Sequence, residues 1–491
     1  MIDEQNNLHQ LPKGWTWTQL GEIAEIILGQ SPPSSTYNES GNGLPFYQGK
    51  LEFGKVYPTP KKWCVAPKKM AEKGDVLISV RAPVGPTNIC PEKSCIGRGL
   101  AAIRGLGGIE TFFILYLIRT FENVLAGKGT GTTFNAISGD QLRGLEFPLP
   151  PLSEQHRIVA KVEELFTNLD AGVESLKKVK TQLKRYRQTV LKYAFEGKLT
   201  EEWRKTHKDQ IEPASLLLKY MKKKQNGNLD ERGAMMFSTN APSLAELPDS
   251  WTLAHLSDIA EIGQGGTPST SRREYWNGKV PWLRSGEVNF NRVSKSAETI
   301  TELGLKNSPA KLLPKGTVLL AMTGQGLTRG RAAILDIEAA ANQSCAHLIP
   351  NPNLLKSEYL FQYFRKEYWN IRQLDKGSNQ PGLNTSIIKR FIIPLPSLIE
   401  QTIIIEEIER RLSVADKIEN VSEQSLKQAE RLHQSILKRA FEGKLVPQDP
   451  ADEPAEKLLE RIKQERPKRE IGIKAKKKND LKQLELMRYV K

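Results

Sequence analysis

Several segments hold residue types that could do chemistry, and spacing decides which of them can. Gly43 to Gly49, followed by Lys50, has the outline of a phosphate-cradling loop. Its glycines stand one residue too far apart, and Leu51 takes the place of the Ser or Thr that would reach the metal ion. Gly324-Gln-Gly326-Leu-Thr-Arg-Gly330 follows an apolar run, but its last glycine falls one position late for a dinucleotide fingerprint. There is no Asn-Pro-Pro-Tyr tetrapeptide of the amino-methyltransferase kind, and no Asp…Glu-x-Lys set that supports a nuclease. The six histidines (His9, His156, His207, His255, His347, His433) are scattered. The four cysteines (Cys64, Cys90, Cys95, Cys345) form no CxxC pair and no zinc spacing, which fits a reduced setting and core or strand positions. No catalytic constellation emerges, and no metal or cofactor set.

What remains is chemistry of recognition. Three loops recur in corresponding places: GQSPPSSTY (29–37) with GQGGTPSTSRREYW (263–276), SVRAPVG (79–85) with AMTGQGLTRGR (321–331), and GKGTGTTFN (127–135) with DKGSNQPGLN (375–384). They are rich in hydroxyl, amide, Arg and Lys side chains and poor in acids. Such groups read nucleic acid: Arg suits guanine, Asn and Gln suit adenine, and Ser, Thr and Lys suit phosphate. They are also ordinary turn residues. Composition and position single out Gln30, Ser34, Lys50, Arg81, Arg98, Lys128, Thr130 and Thr132 as DNA-contact candidates in the first half. In the second half they single out Gln264, Thr267, Arg272, Arg273, Arg284, Arg329, Lys376 and Asn379.

These loops need a scaffold, and the sequence spells that scaffold twice. AFEGKL at Ala194–Leu199 recurs at Ala440–Leu445, and PLPPLSEQ at 148–155 matches PLPSLIEQ at 394–401 without a gap between the landmarks. Upstream, LPKGWTWTQLGEIAEI (11–26) matches LPDSWTLAHLSDIAEI (247–262). The chain is two half-proteins in tandem. The segment after each PLP motif carries a helical seam: Ile158, Val162, Leu165, Leu169, Val173, Leu176, Val179, Leu183, Tyr186, Val190 and Ala194 in the first copy. The second has Ile404, Ile408, Leu412, Ala415, Ile418, Leu426, Ala429, Leu432, Ile436 and Ala440, with a more polar middle around Ser422 and Ser425. Spacings of three and four sustained this long predict two long helices paired as an antiparallel coiled coil. Ser153 and the Ser397/Glu400 capping box are expected to start them, and Gly197 and Gly443 to end them as left-handed C′ residues.

The globular halves read as mixed. Strand-like Asp75–Val80 and Thr317–Ala321 each follow a Lys-Gly pair, and helix-like Glu110–Phe121 and Ser357–Trp369 come later. The expected class is α+β, two mixed α/β domains in tandem pseudo-repeat joined by the two long helices. The divisions are 1–150 and 247–396 for the domains, 151–199 and 397–445 for the helices, 200–246 for a polar linker with a short helix around Ala214 to Lys223, and 446–491 for a basic tail. The chain of 491 residues carries +16, with 72 Lys and Arg against 56 Asp and Glu, which points to a polyanionic partner, nucleic acid ahead of a membrane. From Arg461 on, 12 basic residues face 4 acidic ones, suited to DNA phosphates, to a partner subunit or to solvent alone. The start has no secretory pattern, and the longest apolar run, Phe112 to Ile118, is far too short to span a bilayer.

The LPKGW and LPDSW openings, PLPPLSEQ and PLPSLIEQ before long helices, AFEGKL ends, TEEWR after the first end and an AEKLLERIKQER tail resemble the specificity subunits of type I restriction–modification systems across nearly the whole chain. The polar centre of the second helix departs mildly from that pattern. The resemblance implies a cytoplasmic, non-catalytic, sequence-specific DNA-binding subunit whose two target-recognition domains each read one half of a bipartite asymmetric site in double-stranded DNA. It implies helices that set the spacing and dock two modification (methyltransferase) subunits, with a restriction/translocase subunit as a further partner and no membrane. No cofactor is expected in this chain; S-adenosylmethionine, ATP and Mg belong to the partners. The residues alone leave open a two-armed protein-binding scaffold without sequence-specific DNA binding, and an enzyme with an unrecognised site.

Overall fold

The computed structural model describes residues 11–128, 136–208, 211–216, 219, 246–324, 326–373 and 383–467. They fall into two compact units. One joins the residues up to Leu176 with those from Gln424 on; the other runs from Lys177 to Glu423. Each long helix, Leu152–Phe195 and Leu398–Phe441, therefore gives one half to each unit.

In the first unit a four-stranded sheet runs in the order Ala24–Leu28, Leu100–Gly105, Val76–Ser79, Thr87–Ile89. A five-stranded sheet runs Tyr37–Asn38, Lys62–Cys64, Leu44–Tyr47, Ser94–Ile96, Met70–Ala71. The second unit repeats the first sheet, with Ala260–Gln264, Cys345–Pro350, Val318–Ala321 and Ala332–Leu335, and adds Asn291–Val293 at the edge. Val76–Ser79 and Val318–Ala321 are buried throughout, as continuous apolar runs require. The glycine before each, Gly74 and Gly316, has φ +88°, which only glycine adopts cheaply. Its carbonyl accepts a hydrogen bond from the first helical hydroxyl, Thr111 Oγ1 at 2.7 Å in one unit and Ser357 Oγ at 2.6 Å in the other. The helices so anchored, Thr111–Thr120 and Ser357–Gln373, cover the sheets.

The repeated motifs lock each unit in the same way. Trp15 of LPKGW donates from Nε1 to Glu154 Oε2 of PLPPLSEQ at 2.9 Å; Trp251 of LPDSW donates to Glu400 Oε2 of PLPSLIEQ at 2.9 Å. The next glutamine turns back on its own motif, Gln155 Nε2 to Pro150 O at 2.9 Å and Gln401 Nε2 to Pro396 O at 3.1 Å. Gly197 and Gly443 end the helices at φ +71° and +67°, as the spacing predicts. A Cβ on Gly443 would lie 2.4 Å from Pro12 Cγ, and one on Gly197 would lie 2.5 Å from Pro248 Cγ. So AFEGKL of the second repeat closes on LPKGW of the first, and AFEGKL of the first closes on LPDSW of the second.

The segments after each AFEGKL continue this exchange. Ala455 donates its N–H to Gly14 O at 2.9 Å, and Ala214 donates to Ser250 O at 3.2 Å. Both alanines end a Glu-Pro-Ala triplet, at 212–214 and 453–455, a short repeat not extracted from the sequence. The helix over 455–467 buries Ala455, Leu458 and Ile462 in the first unit's core. Of the helix expected from Ala214 to Lys223, residues 214–216 and 219 are helical and the rest lies outside the described residues.

The long helices pair antiparallel. In the second unit Lys180 Nζ meets Glu423 at 2.7 Å, while Arg187, further along, meets Glu419 at 2.8 Å and also Asp416. In the first unit the Phe166 ring stands edge-on to His433 at 4.5 Å. Three expected seam residues, Tyr186, Ile418 and Leu432, are instead exposed. Each stands three residues after a buried seam residue, Leu183, Ala415 and Ala429, so the buried stripe there is narrower than the three-four spacing implies. Near the helix ends a second face is buried as well, with Val159, Leu191, Phe195, Ile405, Leu437 and Phe441, because there the domain packs beside the partner helix. Ser422 is buried in the polar middle and returns its hydroxyl to Ile418 O at 2.8 Å. Ser153 does not cap the first helix: it lies inside it, and Pro151 precedes the first turn. Ser397 does cap the second, accepting from Glu400 N at 3.3 Å, but the Glu400 carboxylate turns away to Trp251.

Glu154 is buried with only neutral groups against its oxygens, Trp15 and Gln448 (Nε2 to Oε1, 3.3 Å). Burial raises its carboxyl above the usual carboxylate value, outweighing those hydrogen bonds and the field of Arg157. An acid raised on folding contributes stability that is full below the ordinary value of 4.5 and is lost as pH rises through the folded value. Glu154→Gln, which still accepts from Trp15, should gain on the wild type between pH 4.5 and pH 7 in urea midpoints. A difference that stays constant with pH would contradict this account.

Candidate nucleic-acid interface

Five backbone hydrogen bonds tie four loops of the first unit into one frame. Gly29 N donates to Leu100 O (2.9 Å), Gln30 N to Ile96 O (3.0 Å), Gly97 N to Tyr47 O (2.8 Å), Leu100 N to Gly97 O (3.0 Å) and Val80 N to Gly99 O (2.9 Å). The second unit makes the same five: Gly265 N to Cys345 O (2.9 Å), Gly266 N to Ala341 O (2.8 Å), Asn342 N to Leu283 O (2.9 Å), Cys345 N to Asn342 O (3.0 Å) and Met322 N to Ser344 O (2.8 Å). Glycine is required where the chains meet. A Cβ on Gly29 would stand 2.1 Å from Gly97 O, and one on Gly265 would stand 2.2 Å from Asn342 O.

The frame fixes which residues correspond. Ser31 matches Thr267, Arg98 matches Gln343, the residue after Tyr47 (Gln48) matches the residue after Leu283 (Arg284), and Arg81 matches Thr323. The Gly-Gln pairs of the first recurring loop do not correspond as the sequence aligns them. Gln30 takes the place of Gly266, and Gln264 takes that of Leu28, its strand neighbour Ala346 matching Ala101. Residues 79–85 and 321–331 do align as the sequence suggests, with Val80 matching Met322.

The first unit's frame brings together Gln30, Lys50, Arg81 and Arg98, all exposed, and Ser34 stands exposed in the neighbouring turn Ser34–Thr36. Arg98 donates its N–H to Ser31 Oγ at 3.3 Å, and its guanidinium pairs with no described residue. Glu52 accepts from Gly49 N at 3.1 Å and sets one acid against the three cations Lys50, Arg81 and Arg98. Lys128 ends the helix Glu122–Lys128; Thr130 and Thr132 lie outside the described residues, as do Lys376 and Asn379.

In the second unit Thr267 Oγ1 donates to Gln343 Oε1, and Gln264 Nε2 donates to Gln343 O at 2.7 Å. Arg284 is exposed but pinned by two donors to Glu298. Arg272 lies over the Tyr275 ring at 5.5 Å, and Arg273 is exposed beside it. Arg329 points inward: its Nη2 donates to Arg372 O at 3.0 Å, and burial together with Arg372 lowers its pKa. The sequence reading missed Ser31, Gln48, Thr323 and Gln343. Their signal was available in the glycines and strand ends beside them, but pairing the two sets needed the hydrogen bonds.

A fold of two units carrying one loop frame with two sets of polar side chains defines a class of paired recognition modules. The model of the type I restriction modification DNA specificity domain matches residues 12–185 and again 248–428, so the chain belongs to that family. The EcoBI type I restriction enzyme specificity subunit of Escherichia coli is 24% identical over 94% of both chains. The putative MjaX specificity subunit of Methanocaldococcus jannaschii is 38% identical over 199 residues, a match covering 40% of this chain and 46% of that relative. Among solved structures, the HsdS subunit from Thermoanaerobacter tengcongensis superposes with a TM-score of 0.57 at 20% identity, over 89% of this chain and 99% of its own. A chain from a study of complex assembly and conformational transition of the type I R-M system gives 0.61 at 20% identity, over 89% and 100%. These last two likenesses concern the fold.

Proposed function

We propose that the chain is the DNA-reading, non-catalytic specificity subunit of a type I restriction–modification complex. Each unit reads one half of a bipartite asymmetric site in double-stranded DNA. The observation that carries this is the shared loop frame: the same backbone bonds hold Arg98 in one unit and Gln343 in the other. One scaffold with two side-chain sets suits two different half-sites. The paired helices set the half-site spacing and dock two modification subunits, and a restriction/translocase subunit completes the assembly. S-adenosylmethionine, ATP and Mg act on those partners, and the chain itself needs none. The assembly works in the cytoplasm; among the described residues no helix is long and apolar enough to cross a membrane.

The test is selection of bound DNA from a random pool, with the chain co-expressed with its genomic neighbours. Two unrelated short motifs at one fixed spacing are expected. No motif, or one continuous palindrome, would refute a split-site reader and favour a protein-binding scaffold. A second expectation concerns salt. With about six to ten phosphate contacts, affinity should fall roughly 10³- to 10⁵-fold between 50 and 200 mM salt, and a flat profile would count against DNA as the partner.

A further inference from the structure

We infer that positions 98 and 343 are the paired specificity-determining residues of the two units, Arg98 reading a guanine and Gln343 an adenine. The inference rests on the DNA-reading function proposed above. Both residues occupy the tip of the same tight connection, 97–99 and 342–344, entering the second strand of the main sheet. Backbone bonds clamp that tip on both sides, so the side chain is presented from a rigid base, as a base reader must be.

Support from the neighbouring loop is matched too. The hydroxyl of Ser31 accepts from Arg98 N, and the hydroxyl of Thr267, in the same place, donates to Gln343 Oε1. This contact orients the Gln343 amide, with its NH2 left as donor and one lone pair of Oε1 left as acceptor. Donor and acceptor side by side are what adenine N7 and N6–H need. Arg98 offers an unpaired planar fork of donors, which matches guanine O6 and N7.

Three guanidinium groups of the second unit are already committed. Arg284 is held by Glu298, Arg292 by Asp336 and Glu358, and Arg329 by a backbone carbonyl. Arg273 is exposed with no ion pair among the described residues, but it lies outside the five-bond frame, in the turn Arg273–Tyr275; within the frame Gln343 is the exposed amide at the tip that corresponds to Arg98.

The experiment repeats the random-pool selection on the full complex with wild type, Arg98→Lys and Gln343→Arg. Lysine keeps the charge and loses the bidentate fork. Arg98→Lys should cut discrimination for guanine at one position of one half-site on the order of ten- to a hundredfold. Its affinity for non-specific DNA should stay unchanged, which separates lost reading from lost folding. Gln343→Arg should convert an adenine to a guanine in the other half-site and leave the first alone. A wild-type two-part motif that neither substitution alters would overturn this inference while the DNA-reading function stands. A wild type that yields no two-part motif would overturn both.

Discussion

Glu400→Ala should destabilise the second unit by about 3–5 kcal/mol, because it leaves a largely buried cation without its counter-charge. Glu400 is fully buried at the start of the second long helix. Its Oε1 accepts from Arg204 Nη1 at 2.6 Å and Thr200 Oγ1 at 2.7 Å, and its Oε2 accepts from Trp251 Nε1 at 2.9 Å. The Arg204 guanidinium is itself 15% exposed and also donates from Nη1 to Thr200 Oγ1 at 2.8 Å and from Nη2 to Gly197 O at 2.6 Å. Alanine therefore strands an Arg, an indole N–H and a hydroxyl together. The partial access of Arg204 to water sets the expected loss at the lower end of that range. Glu400→Gln keeps an acceptor for Trp251 and should cost less. Adding Arg204→Met to Glu400→Gln should recover much of the loss, since removing both charges avoids the unpaired one. Urea denaturation followed by tryptophan fluorescence reads the size, and hydrogen exchange at Thr252–Gln264 reads the place. A loss under about 1 kcal/mol for Glu400→Ala, or strictly additive effects in the double variant, would sink the coupling.

Phe195→Ala is the second large effect, about 3–5 kcal/mol for a buried phenylalanine whose surroundings cannot collapse. Phe195 packs on Tyr359 and Tyr363, with ring centroids 4.8 and 5.7 Å away. Both tyrosines are fixed by their hydroxyls, to Pro394 O at 2.8 Å and Ile392 O at 3.0 Å, so neither can swing into the void. Phe441 does the same work against Phe113 at 5.4 Å, but it is slightly exposed and should cost less. Phe195 belongs to the first sequence repeat and packs in the second unit; Phe441 belongs to the second and packs in the first. Exchange should therefore rise in 252–264 for Phe195→Ala and in 16–28 for Phe441→Ala. The reverse assignment would refute the exchange of helix ends between repeats.

The duplication, the two long helices, their glycine ends and the class of the domains were all legible in the residues. These follow from local rules: three-four periodicity makes a helix amphipathic, and a left-handed terminus needs glycine. Val76–Ser79 and Val318–Ala321 were legible as strands for the same reason, being continuous apolar runs between turn signals. Other facts depended on residues far apart in the chain. That Tyr186, Ile418 and Leu432 stay exposed while Phe195 and Phe441 are buried depends on what packs beside each turn of helix, and periodicity is blind to that. That Trp15 meets Glu154 and Gly443 meets Pro12 is a matter of chain closure over hundreds of residues. The candidate contact residues show the division most clearly. Arg98 stood out by type and place, but Gln343 was invisible, because its correspondence to Arg98 shows only in the equivalent backbone hydrogen bonds that each unit makes among its own four loops. Residue types set what each loop can bind, and only the tertiary frame decides which of those side chains is held rigid, unpaired and facing outward.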